Sequence, residues 1–577
     1  MTRARRVLAA LVTGGAVLAM QAEAPAAGPP TLTRPVQATK VDLDPGRLYS
    51  SPAMAVDPKN QLRIVGGWAD LRTRRCGIVR STDGGQTWAR PDAAPNTATY
   101  PFCSQSQGGV IQTPIAFGGD GMLYMALNGW GTEEAARPGG AVMVARSADF
   151  GDSWETTVVR TARGKTGDEA ENIRPIQSIA VDANGGDDDV IYVTFSRSRP
   201  SPSAPNANPA NAMVAVSSDG GRTFAEAIDL SAGVFESQAV RDQAFAAVTT
   251  TVPSGPTTTV TTPPAGSKAA TPNQAANFGS AGSRNGMVAR LDSKGTAYVT
   301  WPTGVANLSP NPPSGLALSK STDGGKTWSS AVSIPFSYEN ATGGPAGSYP
   351  QFNINKKTDS LHIVYNRNPT PEVAGMSEVF HRASYDGGAT WTEAMNISDD
   401  DPALFGGQFF PNINIAPNGR IDVAWWDTRD IQGLRGTDAY YAYSEDDGKT
   451  WSKNIRITEQ SIDRKLGIWG NNYDIASAPG VASTNAYAVF GWDDTRNSDL
   501  SFQDSLTTGG GLQDVYIAAA QFEAIGGGTS NAAKVVLAGI GGLVFVGLML
   551  VLAAAVTKRR TGGVSSATSG TKIDTKV

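Results

Sequence analysis

Three places in this chain repeat one chemically pointed pattern, a Trp, an Asp and an Arg at alternate positions: Trp68-Asp70-Arg72, Trp425-Asp427-Arg429 and Trp492-Asp494-Arg496. Alternation at a spacing of two is the period of an extended strand, so the side chains of each set share one face. Arginine presents a planar fork of donors that grips a carboxylate through two parallel hydrogen bonds. Arginines converging on one cavity would form a receptor for a carboxylate ligand. The same arrangement equally fits an internal Asp–Arg lock that fastens a strand to its neighbour, and the pattern leaves both open. Phe195-Arg197-Arg199 and Tyr365-Arg367 are looser versions of it.

The elements that must hold these sets are marked by a second repeat. The phrase STDGGQTW (81–88) returns as SADFGDSW (147–154), SSDGGRTF (217–224), STDGGKTW (321–328), SYDGGATW (384–391) and SEDDGKTW (444–451). Each copy follows an apolar run and precedes another strand-like stretch, so it reads as the turn of a hairpin. Asp83, Asp149, Asp219, Asp323, Asp386 and Asp446 are placed to accept backbone N–H groups inside that turn, with Ser and Thr hydroxyls assisting. Glycine admits a positive φ there, and the closing Trp or Phe buries a large ring between sheets. A recurring unit of this length denotes a repeat architecture, whose chemistry is expected where the copies differ.

Around the phrase a longer unit recurs, with a polar-aromatic-Pro entry and two apolar strands before the turn. Residues 348–368, 409–430 and 50–72 display it, and further starts fall at Pro114, Pro175, near Met287 and at Tyr473. That makes seven units for six phrases. The seventh runs out before its fourth strand, and residues 37–52 line up with 393–411, so residues near 37–43 are expected to supply the missing strand. A ring closed this way leaves no open sheet edge.

The phrase S-x-D-x-G-x-T-W resembles the Asp-box of sialidase-like β-propellers. The resemblance implies an all-β β-propeller of four-stranded antiparallel blades over residues 36–523; the unit count makes it seven-bladed and closed by an N-terminal strand, with six blades, as in catalytic sialidases, as the alternative. The resemblance also implies that the box aspartates are structural and lie on the outer rim. Catalytic members carry an R-I-P motif on the first strand of the first blade, where this chain has Ser51-Pro52-Ala53; the nearest look-alike, Arg174-Pro175-Ile176, is displaced to the third blade. Asp70-x-Arg72 is similar to the family's acidic-x-Arg segment. The general acid/base Asp expected soon after it is absent from TRRCGIVR (73–80). Tyr473 is a counterpart of the family's nucleophilic Tyr, without a motif for its Glu partner. By resemblance, then, Asp70 and Tyr473 are the catalytic candidates, and Arg72, Arg174, Arg429 and Arg496 the ligand-binding ones.

With 65 Gly and 35 Pro in 577 residues, the composition suits many short strands and turns. Residues 1–26 read as a signal peptide, with Arg3, Arg5 and Arg6 before an apolar run and small residues near Ala24–Ala27. After a linker (524–533), residues 534–556 read as a transmembrane helix, and Lys558, Arg559 and Arg560 place the tail (557–577) in the cytoplasm. The expected location is therefore the cell membrane, with the ring outside. Cys76 and Cys103 fit a disulfide in an exported chain, free buried thiols being the alternative. His362 and His381 are separated in sequence and, with two Cys, give no metal cluster; no metal or cofactor is expected. The net charge of −5 argues against nucleic acid as a partner. A Thr/Pro-rich insertion at about 232–284 is either a mobile lid or a solvated spacer. Three functions remain: a surface module recognising a glycan or a protein, a sialidase-type glycoside hydrolase, and a structural subunit of an envelope complex. Oligomeric state stays open.

Overall fold

Apolar strands separated by Asp- and Gly-rich turns fold into seven antiparallel sheets, each meandering in chain order except for the outermost strand of the last. A computed structural model describes residues 29–522 except 40–48, 71–72, 104–112, 131–139, 163–171, 185–187, 199–209, 232–285, 304–314, 336–349, 368–376, 401–406, 431–434, 468–474, 476–477 and 499–511. Blade 1 comprises Tyr49–Val56, Ile64–Asp70 and Arg75–Ser81, its fourth strand reduced to the bridge between Arg80 and Ala89. Blade 2 comprises Ile115–Phe117, Leu123–Gly129, Ala141–Ser147 and Glu155–Thr161. Blade 3 has Asn172–Asp182, Val190–Ser198, Ala210–Ser217 and Ile228–Asp229; blade 4 has Val288–Leu291, Ala297–Thr303, Gly315–Ser321 and Val332–Pro335. Blade 5 has Gln351–Asn355, Ser360–Arg367, Glu378–Ser384 and Met395–Asn396; blade 6 has Gln408–Ile415, Ile421–Asp427, Gly436–Ser444 and Ile455–Arg456. Blade 7 is built on Gly480–Ser483, Tyr487–Asp494 and Asp514–Gln521.

The first strands of successive blades touch one another around a full circle, so they are innermost and the box hairpins lie outward. The fold is a seven-bladed β-propeller. Its cores lie between blades: Tyr124 and Val144 of blade 2 pack on Ile179, Val193 and Met213 of blade 3, and Val364 of blade 5 packs on Ile413 and Trp425 of blade 6. Fully burying one such side chain is worth about 1.5–3 kcal/mol. Polar bonds add direction. Tyr124 Oη donates to Asp189 at 3.0 Å between blades 2 and 3, and Asn353 and Asn412 donate to the Ile413 and Pro479 carbonyls of the next blade at 3.3 and 3.0 Å. Between blades 6 and 7 the buried Arg420 pairs with Asp422 at 2.9 Å and donates to the Thr484 and Tyr487 carbonyls, each at 3.0 Å.

The chain's N-terminal segment supplies the fourth strand of blade 7, but earlier than the alignment with 393–411 placed it. Thr31–Leu32 and Val36–Gln37 both pair with Asp514–Gln521, and Ala38 N–H continues to the Val515 carbonyl at 2.9 Å. Pro35, which lacks an N–H, splits the strand in two. Residues 40–43 of the expected strand lie outside the described residues. So do the leader (1–26), the insertion, the linker, the 534–556 segment and the tail. Among the described residues, no helix is long and apolar enough to cross a membrane.

Candidate functional site

Antiparallel meanders sort the connections onto two faces. Box turns and first-to-second-strand turns share one; second-to-third-strand loops and blade-to-blade connections share the other. The two sets differ in length. Blade 7 turns from its first to its second strand over 484–486 but takes 495–513 to reach the third; blade 5 uses 356–359 and then 368–377. Long, irregular loops on a rigid ring are where binding and catalytic groups concentrate. The second strands end on this face, and so do Trp425-Asp427-Arg429 and Trp492-Asp494-Arg496.

The structure resolves the arginines in these sets into two kinds. In blade 6, Trp425 Nε1 donates to Asp427 at 3.0 Å; Asp427 also accepts Arg429 N–H at 2.8 Å and Arg429 Nε at 2.9 Å. Arg429 Nη1 reaches Asp399 at 2.8 Å and Nη2 reaches Asn454 at 2.9 Å, so every nitrogen of the guanidinium has an acceptor. Burial alone would lower its pKa, but Asp427, Asp399 and Asp400 together hold it above the usual arginine value. Blade 7 repeats the arrangement: Trp492 Nε1 donates to Asp494 at 2.9 Å, Arg496 pairs with Asp494 and Glu459 at 2.8 Å each, and its cation stacks on the Tyr516 ring at 4.1 Å. In blade 3, Arg197 lies 3.7 Å from Asp229.

Blade 5 differs. Arg367 ends its second strand, pairs in register with Glu378, and leans over the Phe380 ring at 4.3 Å. Among the described residues no carboxylate lies within ion-pair distance of it, and its Nε is buried without a hydrogen-bond partner. Glu378 is itself buried, 4% exposed, with Asn396 Nδ2 at 3.4 Å from its carboxyl. Burial, aided by the charge on Asp400, pushes this carboxyl up to about 7, so protonated and ionised forms are both populated near neutral pH. Sequence inspection passed over Glu378, because nothing local distinguishes it from any strand-starting Glu. One cation and one readily protonated acid thus occupy paired positions on the loop face of blade 5.

Asp70 of blade 1 is buried and accepts the Thr73 hydroxyl at 2.5 Å. Arg72 and Tyr473 lie outside the described residues; Arg174 lies in the first strand of blade 3, its side chain outside them. Arg429 and Arg496 sit in neighbouring blades, each closed on its own carboxylates. The structure joins Cys76 and Cys103 in a disulfide, Cα atoms 6.0 Å apart, between blade 1 and the segment leading into blade 2.

The box aspartates form a separate, structural set. In the first box Asp83 accepts the Thr87 N–H and hydroxyl at 2.9 and 2.5 Å and the Ser81 hydroxyl at 2.7 Å, and Ser81 Oγ accepts Gly85 N–H at 2.8 Å. The same bonds recur at Asp149, Asp219, Asp323, Asp386 and Asp446. Hydroxyl donors hold the Asp149, Asp323 and Asp386 carboxyls near 2. At Asp219 burial opposes the same bonds and loses, again leaving about 2. Every oxygen is committed to its own turn, which leaves no catalytic capacity.

His362 and His381 are distant in sequence but adjacent in space, because the second and third strands of blade 5 pair antiparallel; their ring nitrogens are 3.0 Å apart. Among the described residues, no group of His, Cys, Asp and Glu could hold a metal ion.

No protein-family model matches the chain. It is similar to a sialidase of Bacteroides fragilis, 27% identical over 155 residues, which is 24% of this chain and 28% of that protein. The match therefore spans well under a third of that relative's length. Among solved structures, the phage phi92 endosialidase aligns over 86% of this chain and 70% of its own at 11% identity and a TM-score of 0.41. A Hadza microbial sialidase aligns over 79% and 73% at 13% identity and a TM-score of 0.37. A protein of unknown function from Dyadobacter fermentans aligns over 85% and 99% at 11% identity and a TM-score of 0.40. The chain is a seven-bladed β-propeller with a partial sequence similarity to a sialidase, and its activity has to be argued from its own residues.

Proposed function

We propose that this chain is a surface recognition propeller that binds an acidic glycan, or a partner bearing an acidic group, through the loop face of blade 5. The observation that carries this reading is the contrast among second-strand arginines. Arg429 and Arg496 are closed on carboxylates, whereas Arg367 keeps a guanidinium over Phe380 and, among the described residues, has no carboxylate within ion-pair distance. A half-buried cation without a counter-charge is matched to an incoming carboxylate, which it can take in a bidentate grip. Export and anchoring are supported by the apolar leader at 1–26, the 534–556 segment and the Cys76–Cys103 bond. The similarity to a protein named a sialidase makes sialic acid, a sugar with a carboxylate, the first ligand to test.

A second reading, glycoside hydrolysis, is favoured by one observation: a carboxyl near 7 at Glu378 is suited to protonate a leaving group. One experiment separates the two. The full-length chain in mild detergent is applied to a glycan array and incubated with a fluorogenic sialoside. Binding to acidic glycans, weakened at least tenfold in Arg367→Ala and without turnover, supports recognition. Turnover abolished in Glu378→Gln replaces recognition with hydrolysis. Binding indifferent to Arg367→Ala removes the proposed site.

A further inference from the structure

Two of the six boxes lack the first glycine of their Gly-Gly pair, and both put a side chain there at positive φ: Phe150 at 61° and Asp447 at 64°. For L-residues that backbone state is disfavoured, because Cβ crowds the following carbonyl oxygen. Phe150 has a packing return, since Arg63 of blade 1 stacks on its ring at 4.2 Å. Asp447 instead reaches back to blade 5. It accepts Asn355 Nδ2 at 2.6 Å, Ser360 Oγ at 2.7 Å and Thr358 Oγ1 at 3.2 Å, and lies 3.2 Å from His362 Nε2. Tyr385 Oη donates to its carbonyl at 2.9 Å.

Behind that carboxylate stand the only two histidines of the chain. His362 and His381 are buried, 0% and 2% exposed, with rings stacked at 5.3 Å. His362 Nδ1 faces His381 Nε2 at 3.0 Å, and Trp451 of the blade 6 box closes the far side of His381 edge-on at 5.0 Å. One proton per ring satisfies this chain of contacts. In the tautomer that places a hydrogen on each Nε2, His381 Nε2–H donates to His362 Nδ1, and His362 Nε2–H is shared between Ser360 Oγ at 2.8 Å and Asp447 at 3.2 Å. A first extra proton can be absorbed, because a charged His362 donates from both nitrogens if His381 takes the Nδ1–H tautomer. A second cannot. Both facing nitrogens would then carry hydrogens, and two cations would stand in contact inside the protein. Gly448 seals the arrangement: a Cβ there would come within 2.4 Å of His381 Cε1.

We propose that His362, His381 and Asp447 form an acid-sensitive latch between blade 5 and the box of blade 6, closed at neutral pH and released when the histidine pair takes up its second proton. Asp447 is the acid in direct contact, Asp446 is tied within its own box, and Tyr385 is neutral throughout the range concerned. Burial, then the neighbouring His362, holds His381 well below its ordinary value, in keeping with a ring that resists protonation while the latch is shut. The sign follows. The folded state binds fewer protons than the unfolded one below about pH 6.5, so the latch's contribution falls as pH drops, by up to tenfold in the folding constant per pH unit per proton.

The test compares the full-length protein with Asp447→Gly, which restores the glycine of the other boxes at a backbone conformation glycine adopts freely. Hydrogen exchange at 444–451 is measured from pH 8 to 5, with rates corrected for intrinsic pH dependence, and the two histidine rings are followed by NMR. The expected result is a wild-type box whose protection falls at least tenfold between pH 6.5 and 5, and a variant whose protection is lower at pH 8 and flat on acidification. One histidine signal in the wild type should resist titration until protection is lost. Taking the difference between the two proteins cancels the opposite pH slope contributed by Glu378. Protection unchanged down to pH 5, two histidines titrating independently near 6.5, or parallel profiles for both proteins would each overturn the latch.

Discussion

Removing the Arg429 guanidinium asks whether the repeated Trp-Asp-Arg sets are locks. In Arg429→Ala the fully buried Asp427 keeps the Trp425 donor at 3.0 Å and Gln408 Nε2 at 3.5 Å but loses its counter-charge, while Asp399 loses the arginine it meets at 2.8 Å. Taking one partner from a buried ion pair costs about 3–5 kcal/mol, because the other charge stays desolvated. An unfolding entropy of about 2 cal/mol/K per residue gives a ring of this size roughly 1 kcal/mol/K, so Tm should fall by about 3–5 °C. Arg367→Ala removes a cation stacked on Phe380 and paired with no acid, worth ~0.5–1 kcal/mol, and should move Tm by no more than about 1 °C. Scanning calorimetry on both variants in one buffer makes the comparison. Adding Asp427→Asn to Arg429→Ala should recover part of the loss by removing the stranded charge. Equal shifts in the two single variants, or a fall under about 1 °C in Arg429→Ala, would refute the division into locks and a free cation.

Glu378→Gln should stabilise the protein above pH 7. A carboxyl raised to about 7 binds more protons folded than unfolded, so its contribution is complete below about pH 4.5 and lost as pH rises through 7, about 3 kcal/mol in all. The variant's Tm advantage measured by calorimetry should therefore grow from pH 5 to pH 8. The boxes give the opposite dependence: Asp149 and Asp219, held near 2 when folded, contribute stability above about pH 4 that is lost as pH falls toward 2. Acid unfolding followed by circular dichroism should steepen in that window, and Asp446→Ala, which removes one box's acceptor, should lower stability by about 1–2 kcal/mol at pH 7.

What could be read from the sequence was what is local. The box needs only its own eight residues, since Asp83 finds Ser81, Gln86 and Thr87 within four positions, so its turn and its structural role are written in the phrase. Seven units follow from counting such local signals. The closing strand was displaced because an alignment of apolar positions does not register that Pro35 cannot donate. The fate of each arginine was not local. Arg429 is completed by Asp399, thirty residues upstream, and Arg496 by Glu459, thirty-seven upstream, both from blade-to-blade connections. Lock and receptor look alike until those partners are known. The histidines were missed for the same reason, since cross-strand pairing, not spacing, brings His362 and His381 together.

The two faces of the ring divide the work for a physical reason. On the box face the carboxylates of Asp446, Asp447 and Asp359 are spent within their own turn or on the adjoining blade. Binding a ligand there would mean breaking bonds that hold the circle shut. On the loop face blades 6 and 7 also spend their arginines internally, which stiffens the wall beside blade 5. Arg367 and Glu378 can remain uncompensated because that wall does not depend on them for its own cohesion. A cation without a paired carboxylate and a buried acid are destabilising to keep, and a fold with locks in the adjoining blades 6 and 7 tolerates them. Recognition by this protein is therefore expected at the blade where the repeated Asp–Arg pairing breaks.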